Sequence, residues 1–360
     1  QAIVDKPVAA LSQEERAVLK DYYVSAVDAA VAAERAALQQ QRTAFSDSTR
    51  HIAEIMVMQE MPTPKRSYLL QRGQYDAPGP EVFPNTPSAV LAFPATLPKN
   101  RLGLAQWLTD PSHPLTARVA VNRYWQNFFG TGLVKTTEDF GNQGELPSHP
   151  ELLDWLAVTF RQDYGWDVKR LVKLMVMSAT YRQDSRTTAA LRERDPENRL
   201  LARGPATRLT AEMLRDNALV ASGLLNSKLG GKSVKPYQPD GLWEINSMTY
   251  KMDTTDAIYR RSLYVIVKRS VPNPTLGTFD APTRSSCIVR RQRTNTPLQA
   301  LVTLNDPTYV EASRVMGEQM ARQKQSAEAI EWAYRQLTGK KPNEKEVQLL
   351  DKLYTTQYQT

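Results

Sequence analysis

LTARVAVNRYWQNFFGTGLVKTTEDFGNQGELPSHPELLDW, residues 115–155, is the stretch whose pattern sets the architecture. Val121, Tyr124, Trp125, Phe128 and Phe129 recur at helical spacing and predict an amphipathic helix over residues 116–129, stopped by Gly130 and Gly132. Arg118, Asn122 and Gln126 run i, i+4, i+8 beside that comb. Polar groups so close to a buried face must reach water or join a paired network, because an isolated buried charge costs several kcal/mol. Ser148 and Glu151 read as a capping box, with Pro150 in the first turn of a second helix, PELLDWLAVTFRQDY. Trp125 and Trp155 fall on the apolar faces of these helices and are expected in the core.

Working outward, cap signals open further helices at Asp167, Thr210, Thr296-Pro297, Asp306-Pro307 and the Asn343/Glu346 pair. Upstream, RLGLAQWLTD is a short amphipathic helix, and residues 76–98 are rich in proline and glycine, which block helix. Residues 12–45 read as one long helix with a Ser12/Glu15 capping box. IMVMQ and SYLLQ have strand character, as does SLYVIVKR at 262–269, and residues 232–259 read as a long loop. The expectation is a mainly α chain: an irregular multi-helix domain with one or two short β-ribbons and a long N-terminal helical arm. Its parts are an arm, ribbon and proline-rich linker (1–98), a main helical domain (99–325) and a truncated C-terminal helical segment (326–360).

The 360 residues, 41% hydrophobic and 23% charged, have the composition of a folded soluble protein. No apolar run approaches the roughly 18 residues needed to cross a bilayer as a helix. The first residues carry no basic-then-apolar leader and no initiator Met, so the chain reads as a piece of something longer. Cys287 is the single cysteine, which excludes an internal disulfide, a thiolate zinc cluster and a CxxCH haem attachment. Of the net charge of +8, residues 260–293 hold all but one unit, with eight cations against Asp280.

Several long motifs occur in order: the 101–157 stretch that contains the opening segment, GWDVKRLVKLMVMSATYRQDS, DPENRLLAR, RLTAEMLRDNALVASGLL, RRSLYVIVKR and FDAPTRSSCIVRRQRTNTPLQALVTLND. Together, over roughly residues 101–322, they resemble domain of unknown function 1553. That resemblance implies the C-terminal part of a large exported protein of planctomycetes and related bacteria, placed in the periplasm or outside the cell. It implies a multidomain parent in which a c-type cytochrome domain often precedes this one, with a role in polysaccharide utilisation. Any haem would sit in a missing segment or a partner, and no cofactor or metal is expected in this chain. The resemblance brings no catalytic residues with it.

The residues themselves offer three candidate sites. Asp139, His149 and Asp154 could do acid–base work, although their spacing matches no metal-ligand signature. Against this, a residue at a helix start more often caps the helix. Arg118 and Arg123, with Arg260, Arg261, Arg269, Arg290, Arg291 and Arg293, could hold anions through their guanidinium forks. The structural alternative is ion pairing within the fold, Arg118 to Asp139 or Glu138 for example. Arg208, Glu212, Arg215 and Asp216 alternate in sign along one helix, as a solvated or intramolecular salt-bridge ladder does. Trp243, with Tyr250, is the candidate for an exposed aromatic platform, whereas nucleophile elbows, P-loops and GxGxxG are absent. The expectation is an accessory domain whose basic, aromatic-lined cleft engages an anionic polysaccharide or a cytochrome-type redox protein. The alternatives are a glycan-acting enzyme, either a haem-coupled oxidoreductase or a hydrolase, and a structural scaffold. Nucleic acid is disfavoured, since no zinc finger, helix-turn-helix or RNP signature is present.

Overall fold

The structure is a computed structural model describing residues 6–244 and 248–358. The chain divides into two compact units, Gln1–Asn85 and Thr86–Thr360.

In the first unit, α1 (Gln13–Tyr22) opens on the expected capping box, with the Ser12 hydroxyl accepting from the Glu15 N–H and the Glu15 carboxylate from the Ser12 N–H. The single long helix is corrected to two. A π-turn at Tyr23–Val27 ends α1, Asp28 turns extended and accepts the Ala30 N–H at 2.9 Å, and α2 (Ala32–Thr49) starts afresh. An Asp side chain that bonds the backbone two residues on competes with the helix, which places the break here. Neither helix buries a residue. SYLLQ supplies β1 (Ser67–Leu70), paired antiparallel with β2 (Pro78–Val82), whereas IMVMQ stays unpaired coil. The prolines of β2 hide it from pattern reading, yet a two-stranded ribbon tolerates them because each strand has a free edge.

The regular elements of the second unit are mainly helices: α3 (Arg101–Leu108), α4 (Thr116–Phe129), α5 (Pro150–Val158), α6 (Val168–Met177), α7 (Ala189–Arg194), α8 (Ala211–Ala221), α9 (Pro274–Thr278), α10 (Pro297–Asn305), α11 (Pro307–Met320), α12 (Ser326–Thr338) and α13 (Glu344–Tyr358). The mainly α expectation with one short ribbon stands. Asp167, Thr210 and Asp306 cap as predicted, and Asn343 and Glu346 exchange bonds at 2.7 and 3.0 Å. The α5 start differs. Helix geometry begins at Pro150, so His149 is the N-cap residue, and Ser148 instead gives its N–H to the Leu133 carbonyl.

The main core lies among α4, α5 and α6, where Val121, Trp125, Leu156, Phe160 and Leu171 are buried. Trp125 stacks on Phe129 with ring centroids 3.9 Å apart. Trp155 is not in that core and is 53% exposed. The buried stripe of α5 is Leu153, Leu156, Ala157 and then Phe160, so a residue two positions from Leu153 points away from it. Two smaller clusters seat α8 against α9, α11 and α12, through Ala211, Phe279 and Tyr309 and through Ala221, Met316 and Ala333.

SLYVIVKR does not form a strand. It is one tight turn, Ser262–Tyr264, followed by a single bridge between Val265 and Val234. The bridge partner Val234 is followed by Pro236 and Pro239, and proline cannot donate to a ladder. Among the described residues, no helix is long and apolar enough to cross a membrane.

Candidate functional site

The α4–α5 surface comes first. Arg118 donates from Nε to Asp154 Oδ1 at 2.6 Å, and a second arm bonds the Pro114 carbonyl. A candidate anion receptor and a candidate acid–base carboxylate therefore satisfy each other, and Arg118 holds the Asp154 carboxyl below its usual range. Asn122, fully buried, spans both sides of Val134, donating to its carbonyl and accepting its N–H, each at 2.9 Å. That bracket pins the loop after α4 to the helix, and Gly132 belongs to it. A Cβ there would lie 2.5 Å from the Val134 carbonyl oxygen.

Asp139 closes a turn by accepting the Gly141 N–H at 2.7 Å, and His149 contacts the Ser148 hydroxyl at 3.0 Å. Among the described residues, no hydrogen bond or ion pair joins Asp139, His149 and Asp154, whose bonds go to Gly141, Ser148 and Arg118 respectively. Among the described residues no group of three or more His, Cys, Asp or Glu side chains could hold a metal ion. Arg123 stands exposed on α4, with no carboxylate partner among the described residues.

The basic segment is divided, which corrects the expectation of one outward-facing hollow. Arg260 is 5% exposed and turned inward, bonding the carbonyls of Lys228, Gly230 and Lys232 with its guanidinium 3.7 Å from the Tyr264 ring centre. Arg261 lies 3.8 Å from Asp216 and Arg290 lies 3.5 Å from Glu138. Arg291 grips Glu212 with both arms, at 2.6 and 3.1 Å. Partial burial would raise the Glu212 carboxyl, but Arg291, a backbone N–H and the Thr210 hydroxyl together hold it low. Arg269, Arg284 and Arg293 remain exposed, with no carboxylate partner among the described residues.

The segment carrying these last arginines is anchored rather than loose. Asp280 accepts the Thr294 N–H and hydroxyl at 2.8 Å each and pairs with Arg208, which also bonds Gln299 at 2.8 Å. Burial pushes the Asp280 carboxyl up, and the Thr294 N–H and Arg208 more than offset it. Arg284 adopts a left-handed φ of 60°, a conformation a non-glycine residue keeps only where its surroundings impose it. It lines a small cavity of about 30 Å³ with Glu212, Val265, Ile266, Pro272 and Leu276.

The predicted α8 ladder is not a ladder along one helix. Arg208 reaches Asp280, Glu212 reaches Arg291, and Arg215 is 4% exposed, bonding the carbonyls of Ile258 and Arg260 and the Ser262 hydroxyl. Arg215 and Asp216 also lie 4.0 Å apart, but the closer bonds of the α8 charges go to distant segments.

Trp243 is corrected from platform to interior, at 5% exposure. Its ring meets Tyr250 at 5.0 Å, Lys268 sits 4.4 Å from its centre, and the Tyr250 hydroxyl bonds the Pro236 carbonyl. Burial pushes the Tyr250 phenol up to about 12. Nothing in the composition of PYQPDGLWE distinguishes an exposed indole from one that folds beneath its own loop.

One family model, PSD1, described as a protein of unknown function (DUF1553), matches residues 100–354. No curated protein and no solved structure matches the chain.

Proposed function

We propose that this chain, which belongs to the PSD1 family of proteins of unknown function (DUF1553), is an accessory binding domain that engages an anionic polysaccharide within a larger multidomain assembly. The observation that carries the proposal is the split within the basic segment. Arg290, Arg291 and Thr294 tie it to Glu138, Glu212 and Asp280, and this anchoring leaves Arg269, Arg284 and Arg293 exposed and uncompensated. A guanidinium fork matches the geometry of carboxylate and sulfate groups and can hold them through paired hydrogen bonds. Several exposed cations suit a chain with repeating anions, and in an exported parent that encounter takes place in the periplasm or beyond. Any haem-bearing redox partner lies outside this chain.

The test is electrophoresis of the purified chain through native gels containing a uronate polymer, a sulfated polymer or a neutral glucan. Retardation should occur with the polyanions alone and vanish in an Arg269→Ala/Arg284→Ala/Arg293→Ala variant. It should also weaken as salt shortens the screening length from about 10 Å at 0.1 M to about 3 Å at 1 M. Equal mobility in all gels rejects the proposal, and binding to an acidic c-type cytochrome alone transfers the site to a protein partner.

The scaffold reading draws on a different observation. On α10, Leu298, Leu301 and Leu304 line one face at i, i+3, i+6 and are 55%, 54% and 72% exposed. An apolar helix face left in water marks a place where another surface packs.

A further inference from the structure

We infer that His113 is an acid-sensitive latch between α3 and α4, and that taking up one proton releases the start of α4. The α4 N-cap residue, Leu115, has no side chain able to accept a hydrogen bond. His113 fills that role from two residues upstream: its Nδ1 accepts the N–H groups of Leu115 and Thr116, each at 3.2 Å. Backbone N–H groups can only donate, so Nδ1 must be bare and the single proton of the neutral ring must sit on Nε2. Nε2 is buried without a partner, and the ring, 6% exposed, meets Trp107 of α3 edge-on at 4.5 Å.

Protonation forms one bond, N–H at Nδ1, and breaks the two hydrogen bonds from the Leu115 and Thr116 N–H groups; the Thr116 hydroxyl, 3.0 Å from Nδ1, can accept the new N–H, but both backbone donors lose their acceptor. It also puts a positive charge at the positive end of the α4 dipole. Of the charged groups facing the ring, Asp110 favours the cation, and Arg161 lies beside Asp110. Arg118, one turn into α4, is already engaged by Asp154 and Pro114. Burial outweighs Asp110 and holds His113 below the ordinary imidazole range. The sign follows: with the folded value depressed, the stabilising contribution is complete above the unfolded value of about 6.5 and declines as pH falls below it.

The test is the unfolding equilibrium of the full chain in denaturant between about pH 7.5 and 5.5, a window that spans the ordinary imidazole value. Below about 6.5 the unfolding constant should rise by up to tenfold per pH unit. The variant His113→Asn, whose amide oxygen can accept the same N–H groups without titrating, should lose that slope. His51→Gln and His149→Gln should keep it. A flat wild-type profile, or a slope that survives in His113→Asn, overturns the inference. Should His113→Asn fail to fold, NMR titration of the three wild-type imidazoles decides, and a His113 resonance titrating at or above the ordinary value overturns it.

Discussion

Two halves of the second unit solve the same problem by different means. Around α4, α5 and α6 the chain is held by apolar side chains at helical spacing, Val121, Trp125, Leu156 and Leu171 among them, with Asn122 as the one deeply buried polar bracket. From residue 195 to 300 regular structure is sparse and arginines hold the loops. Arg199 bonds the carbonyls of Gly132 and Leu133, and Arg203 those of Asp195 and Pro196. Arg215 and Arg260 clamp residues 228–232 and 258–262. A guanidinium offers five donors in a planar fork, so one side chain can satisfy several carbonyls that would otherwise be left unpaired. The lesson concerns charge: a local excess of arginine can be loop reinforcement, and only what is left over is available to a partner.

The sharpest way to break this contrast is Arg215→Met. It removes the donors for the Ile258 and Arg260 carbonyls and the Ser262 hydroxyl, and should cost about 3–5 kcal/mol by denaturant unfolding. Hydrogen exchange should rise first in residues 228–264 while α4–α6 stay protected. Uniform loosening would mean the two regions are not separately held. Leu171→Ala, at a fully buried core position, should cost roughly 2–5 kcal/mol and expose α4, α5 and α6 together. Next in size, Asn122→Leu leaves the Val134 N–H and carbonyl unpaired and should cost about 2–3 kcal/mol, localised to the loop after α4.

Arg118→Ala should do least, about 1 kcal/mol or under, because its pair with Asp154 is half-exposed and screened by solvent. Asp154 is depressed in the folded chain, so whatever this pair contributes is present above the unfolded carboxyl value of about 3.9 and is lost as pH falls through the folded value. Comparing the acid limbs of the wild-type and Arg118→Ala unfolding curves checks it. A large loss at neutral pH would show the α4–α5 surface to be arginine-held as well.

The helices were legible where periodicity and a cap coincide. Thr116–Phe129 has its predicted bounds, and Asp167, Thr210, Asp306 and the Asn343/Glu346 pair cap as read. Legibility ended wherever a residue's role depends on a distant segment. Trp155 and Trp243 exchanged places, one outward on α5 and one beneath its own loop, because each tryptophan's exposure is set by what packs over it. Of the candidate site, Arg118 and Asp154 proved to be partners, whereas Asp139 and His149 are tied into local turns. The carbonyl-clamping arginines left no sequence signal, since an arginine bound to a carbonyl and one facing water are the same letter.

The amino-acid order by itself determined the helical class, most helix starts, the family and the location of the surplus charge, since these depend on interactions within a few residues or on counting. Only the tertiary structure decided which arginines are consumed inside the fold, which aromatic faces water and that His113 caps a helix from outside it. The arginine and tryptophan outcomes turn on where carbonyls, carboxylates and rings separated by tens of residues come to rest, and the His113 cap on how the loop between α3 and α4 turns its ring back onto the helix start.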